Sequence, residues 1–229
     1  MNGSKTGKQW RIVDRTPVLL ADSESGGDAT LSFSLIYEGE LLSSNCSDRQ
    51  AVRENKHAIR RQLHTQLKEF WKQDYTLQYM ARSFEGTLPA GTGWTKDIGL
   101  KQIAAKYARC GFEFIPLVRA DYRLTCALDV LFLRRESPGS IVQGGDIDNR
   151  IKTLFDGLRL PQNCDEITAN LEQDEKPFYC LLEDDRLITE VKIRTERLLR
   201  PTSDAATKHA EHHVVLIIGV ELKQTSKLW

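Results

Sequence analysis

The chain has 229 residues, of which 40% are hydrophobic, 28% charged and 8% aromatic. A chain of that length can bury a core without staples, and its ordinary charged fraction excludes disorder by composition. No apolar run reaches the roughly 18 residues of a membrane span, and MNGSKTGKQW lacks the apolar centre of a signal peptide, so a cytoplasmic protein is expected.

The cysteines Cys46, Cys110, Cys126, Cys164 and Cys180 are odd in number, scattered, and never form CxxC. That usage points to a reducing compartment, and away from a disulfide framework or a thiolate zinc site. The formal charge is zero, but the cancellation is uneven. Residues 161–185 hold eight acids against one base, whereas residues 49–72 hold seven bases against two acids. A basic surface and an acidic cluster therefore coexist. A metal-dependent nuclease needs both, and so does any ordinary solvated surface.

In chain order, residues 1–28 read as an N-terminal extension and 29–229 as one domain. Ala29–Tyr37 alternates apolar and small polar residues, the pattern of a strand. Ser47-Asp48 offers an N-cap, and residues 49–73 form the strongest helical pattern, with Val52, Ile59, Leu63 and Phe70 on one face. Arg49, Arg53, Lys56, Arg60 and His64 run beside that face as a cationic row. Gln78–Ser83 extends the helical region and Ile98–Arg109 reads as another helix, so 75–110 is a helical insertion. Phe112–Arg119 and Tyr122–Leu133 are strand patterns joined tightly at Ala120-Asp121. Residues 148–159 are helical, 161–180 an acidic loop insertion, and Leu187–Thr195 and His213–Leu222 two more strands. The fold class is α/β: a mixed, largely antiparallel sheet of about five strands with two or three helices.

The chemistry concentrates in Gly145-Asp146-Ile147-Asp148-Asn149-Arg150-Ile151-Lys152. Two acids one residue apart open a helix, and Asp148, Lys152 and Asp156 then fall one turn apart on one face. Glu183-Asp184-Asp185 follows just before a strand. Carboxylates from a helix start and a strand start can converge on Mg²⁺, with Mn²⁺ as substitute. Such an ion polarises a phosphate, and the adjacent Lys152 ammonium can offset developing negative charge. The same residues also serve as helix caps, an i,i+4 pair and turn formers, and the spacing alone leaves both readings open. An EF-hand is excluded, because Ile151 and Gly157 stand where glycine and glutamate are required. His209, Glu211, His212 and His213 lack zinc-motif spacing. His57 and His64 lie on the cationic row, and Trp10, Trp71, Trp94 and Trp229 read as packing residues.

DIDNRIKTLFDGL (146–158), the later Asp-Asp pair and the strand after it resemble the RusA family of Holliday junction resolvases. The matching positions are Asp146, Asp148, Asn149, Lys152, Asp156, Leu158, Asp184 and Asp185. The resemblance implies a homodimeric, Mg²⁺-dependent endonuclease that cuts branched DNA, such as a four-way junction, at two symmetric places in recombination or repair. It implies Asp146, Asp148 and Asp185 as metal ligands and catalytic residues, Lys152 as catalytic cation, and Asp156, Asp184 and Asn149 in support. Arg49, Arg53, Lys56 and Arg60 are then the expected phosphate contacts. Val142–Gly145 departs from the basic run that such enzymes often carry there. The acidic insert 161–180 is expected to face away from DNA or to dock a protein partner. Two other readings remain: a weakly catalytic DNA-binding or protein-interaction module, and a nuclease for flap or invading DNA.

Overall fold

The computed structural model describes residues 10–13, 16–19, 31–75, 77, 96–135, 147–168, 172–199 and 212–224. Eight strands are present among them: β1 Trp10–Val13, β2 Thr16–Leu19, β3 Leu31–Glu40, β4 Phe114–Val118, β5 Leu124–Arg134, β6 Phe178–Leu182, β7 Ile188–Arg197 and β8 His213–Gln224. The helices are α1 Arg49–Gln73, α2 Lys96–Lys106 and α3 Ile147–Leu158. The principal sheet runs β3-β8-β5-β7, antiparallel at its first two pairings and parallel at β5-β7. β4 and β6 form a separate parallel pair, and β1 and β2 a short antiparallel one. The fold is α/β with a mixed sheet, as the hydrophobic periodicity predicts.

Three strands were not legible: β1 and β2 fall in what reads as the N-terminal extension, and β6 in what reads as the acidic loop. Residues 161–180 read as a loop because FYCLL (178–182) follows an acidic stretch and does not alternate. All five of these residues are buried, and so are all five of β4. Parallel strands covered on both faces read as continuous apolar runs. The tight connection at Ala120-Asp121 is a single 3-10 turn, Ala120–Tyr122, closed by Arg123 at φ 52°. It joins β4 to β5, which lie in different sheets. The helical extension expected at Gln78–Ser83 and the segment Val142–Gly145 lie outside the described residues. Among the described residues no helix is long and apolar enough to cross a membrane.

α1 organises the packing. Asp48 caps it, its carboxylate accepting from Ala51 N at 3.0 Å. Its apolar face buries Val52, Ile59, Leu63, Leu67 and Trp71 in a core shared with β4, β5, β6 and β8. Gln66 accepts from Ile36 N at 2.9 Å and donates to Ile36 O at 2.6 Å, and Gln62 accepts from Glu38 N at 3.1 Å. Two glutamine amides thus occupy the open edge of β3 at Ile36 and Glu38, where another strand would otherwise pair. α3 packs against α1 closely at Gly157: a Cβ there would stand 2.7 Å from Ile59 Cγ2.

Candidate functional site

The motif helix α3 begins beside the loop that leads into α1. Ser44 N donates to Asn149 O at 3.1 Å, and Ser44 Oγ to Asn149 Oδ1 at 3.2 Å. Arg49 Nη1 in turn donates to Ser44 O at 2.8 Å. Asn149 therefore buckles the starts of the two helices together, and Arg49 is held on the same platform as Asp148. Arg150 extends the attachment to the residue before β8 through a 3.3 Å contact with His212 Nδ1, and the arginine, having no lone pair to offer, must be the donor.

Asp148 and Lys152 are both exposed, one helical turn apart, and neither pairs with another described residue. Asp146 lies outside the described residues. Asp185 follows β6 in a 3-10 turn, Asp185–Leu187, that packs against α3. Its side chain is 43% exposed, with Oδ2 4.0 Å from Arg159 Nε. Asp184 caps that turn, accepting from Arg186 N at 3.0 Å and Arg186 Nε at 2.8 Å, and these bonds hold its carboxyl below the usual range. Glu183 turns the other way, accepting from Ala120 N at 2.9 Å and Tyr107 Oη at 3.2 Å. Among the described residues no three His, Cys, Asp or Glu side chains gather as a metal site. The described part of the expected ligand set is nonetheless right in kind for Mg²⁺. Asp148 and Asp185 are partly or fully exposed carboxylates, with no imidazole or thiolate that would favour a softer metal.

Asp156 takes a different place from the rest of the motif. It is 7% exposed and turned inward, with Oδ2 2.7 Å from Lys56 Nζ and Oδ1 2.5 Å from Arg159 Nη2. Burial alone would push this carboxyl up, but hydrogen bonds from Lys56 and Arg159 and the charges of both outweigh it, and the net shift is downward. Asp156 supports the site by packing; it does not share a wet face with Lys152.

The cationic row of α1 also needs correction. Arg60 is 2% exposed, its Nε donating to Arg159 O at 3.1 Å and its Nη2 to Asp156 O at 2.7 Å, with Glu166 Oε2 at 3.3 Å. No phosphate can reach it. Lys56 is committed to Asp156, and Arg53 meets Asp165 at 3.2 Å on the surface. Arg49 alone of the four expected phosphate contacts has no carboxylate partner among the described residues. From Lys56 onward the row turns inward, because α3 and the acidic insert pack along it.

The insert, far from facing away, docks on this chain's own helix. Besides the Asp165 and Glu166 pairs, Arg61 is held by Glu172 and, at 2.5 Å, by Glu175. His64 bridges the same region, accepting from Tyr179 N through Nδ1 at 2.8 Å while Nε2 lies 3.2 Å from Asp174 O. These bonds fix the neutral tautomer, and burial lowers the pKa of this ring, as it does at His57. Neither histidine is available to a phosphate. The expectation of unpaired cysteines is corrected as well: Cys110 and Cys164 form a disulfide, and Cys46, Cys126 and Cys180 are free.

Comparison with protein-family models, with curated proteins and with solved structures gives no match.

Proposed function

We propose that the chain is a Mg²⁺-dependent endonuclease for branched DNA, of the RusA type, acting as a homodimer in the cytoplasm. The observation that carries this reading is the start of α3. There Asp148 and Lys152 stand exposed a turn apart and unpaired among the described residues, beside an arginine fastened to the same platform. Most other charges on α1 and α3 have partners inside the protein. A carboxylate and an ammonium kept in water, side by side on a rigid helix, suit a reaction at a phosphodiester.

In this reading Asp148 and Asp185, with Asp146, supply oxygen ligands to Mg²⁺ or Mn²⁺, which when bound polarises the phosphate and acidifies water. Lys152 places its ammonium where negative charge grows on the phosphoryl oxygens. Arg49 grips a neighbouring phosphate and orients the strand. Asn149 fixes the two helix starts, so that Arg49 and Asp148 keep their spacing. A two-fold dimer presents two such sites to the two equivalent strands of a four-way junction.

The decisive experiment is cleavage of a synthetic four-way junction, with and without Mg²⁺, by the parent and by Asp148→Asn. The parent should cut only with metal, and the variant should bind the junction but cut at least about a hundredfold more slowly. Equal rates would remove the site. A second reading, a DNA-binding or protein-interaction module with little catalysis, has its own observation: Arg159 stands 4.0 Å from Asp185, where a metal ligand would otherwise be unopposed. Metal-independent junction binding without cleavage would select it. Flap and invading-strand substrates, run beside the junction, separate the remaining nuclease specificities.

A further inference from the structure

The acidic insert is attached to the rest of the protein in two physically different ways. Its inner carboxylates are buried: Glu166 lies between Arg60 and Arg159, and Glu175 meets Arg61. Its outer carboxylates, Asp165 on Arg53 and Glu172 on Arg61, are exposed. Exposed pairs of this kind contribute little, because water and salt compete for both partners. An external phosphate chain competes for the same arginines.

A covalent bond acts where these electrostatics are weakest. Cys164 is the first residue of the 3-10 turn Cys164–Glu166, directly before Asp165, and it is exposed. Its partner Cys110 sits in a rigid turn after α2. Arg109 and Phe112 exchange two backbone hydrogen bonds of 2.9 Å across that turn, Cys110 takes φ 55° and Gly111 φ 78°. Phe112 stacks on Phe114 of β4, which anchors the turn on the core. The disulfide therefore ties the insert, beside its outer ion pair, to a fixed point. Cys126 and Cys180 are buried and Cys46 is half-buried, whereas Cys164 is exposed, so a reductant in solvent reaches the disulfide.

We propose that the Cys110–Cys164 disulfide is a redox-cleavable clasp that holds the Cys164–Glu166 turn of the acidic insert over Arg53 of α1, and that its reduction frees Arg53 for a nucleic acid. The chemistry is thiol–disulfide exchange with a dithiol reductant. Two electrons and two protons pass to Cys110 and Cys164, the S–S bond breaks, and the reductant leaves as its own disulfide. Glu166 stays in place, because withdrawing it would leave Arg60 buried without a counter-ion, and Glu175 is itself buried against Arg61. Glu172, joined to Glu175 by a reciprocal capping box, stays with it on Arg61. Asp165 is released to solvent, and Arg53 becomes a phosphate contact beside Arg49. That the polyanion is DNA rests on the function proposed above; the clasp itself does not.

Two measurements on the full chain separate these claims. The first is amide hydrogen exchange over 163–168, oxidised against dithiothreitol-reduced, with Cys110→Ser/Cys164→Ser as the reductant-free counterpart. Faster exchange there, with the rest of the fold unchanged, supports the clasp, and identical exchange overturns it. The second is fluorescence anisotropy of a labelled four-way junction across a salt series. Reduction should tighten binding about threefold at low salt and steepen the logarithmic salt slope by about 1, for the one freed arginine. Arg53→Ala should abolish that gain. Faster exchange with equal binding in both redox states overturns the gating of the surface. Faster exchange with no binding in either state supports the clasp and refutes DNA as the ligand.

Discussion

Replacing Asp156 by alanine removes the anion shared by two cations from different helices. The Asp156 side chain is 10% exposed, and its partners Lys56 and Arg159 are 16% and 5% exposed. After the change Lys56 has no carboxylate left among the described residues, and Arg159 keeps Glu166 at 3.6 Å and Asp185 at 4.0 Å. Breaking a buried pair from one side costs about 3–5 kcal/mol, a large fraction of the total stability of a domain. Asp156→Asn should cost about half as much, since its amide oxygen still accepts one hydrogen bond. Urea denaturation at neutral pH measures both. A double-mutant cycle with Lys56→Ala should return a coupling of about 1.5–3 kcal/mol. Because the folded carboxyl lies below its unfolded value, this stability is present above the unfolded pKa of about 3.9 and vanishes as pH falls through the folded value. The parent and Asp156→Ala should therefore converge in acid. A loss under about 1 kcal/mol, or a coupling near zero, would refute the buried network as a source of stability.

Other outcomes follow from the same packing. His57 is buried, and desolvation, then the charges of Arg60 and Arg61, lower its pKa to about 4. The unfolded chain then binds more protons between about 6.5 and 4, so stability should fall across that interval by about 3 kcal/mol; urea midpoints that stay flat over it would contradict the assignment. Gly157→Ala puts a methyl 2.7 Å from Ile59 Cγ2 and should destabilise by about 1–2 kcal/mol despite the better helix propensity of alanine. A rise in melting temperature would show that the two helices can part. Gln66→Ala uncovers the backbone of Ile36, itself 53% exposed, and should lower stability by about 1–2 kcal/mol and promote association, seen as concentration-dependent light scattering.

The fold was legible wherever a single physical signal controls an element. The apolar face of α1, its Asp48 cap and the alternation in β3 all survive in the structure, because burial on one face writes its period into the sequence. β6 did not announce itself, since a strand buried on both faces has no period to read. The polar side of α1 was legible only as charge. Arg53, Lys56 and Arg60 fall on one stripe of the helix, and nothing local tells an arginine facing solvent from one facing a carboxylate a hundred residues away. The partners were in the sequence: the excess acid of 161–185 balances the excess base elsewhere. Complementary charge blocks in one neutral chain are as consistent with pairing in cis as with two separate surfaces. The disulfide was missed for a related reason, because spacing does not reveal which of five scattered cysteines meet.

Neutrality also sharpens the choice of site. Asp156, Asp165, Glu166, Glu172 and Glu175 have cationic partners, and so do most acids on the β5–β7 surface, such as Asp129 and Glu190. Against that background, Asp148 and Lys152 are an acid and a base on one helix face that pair neither with each other nor with another described residue. An ion pair at i,i+4 between Asp148 and Lys152 is open to any helix and favourable by a few tenths of a kcal/mol. Leaving it unmade keeps both groups available to a ligand that carries charges of both signs, as a metal-bound phosphodiester does. That is why Asp148→Asn, with Lys152→Ala beside it, is the sharper functional probe: both substitutions should leave urea stability within about 0.5 kcal/mol, so a lost cleavage rate cannot be attributed to unfolding.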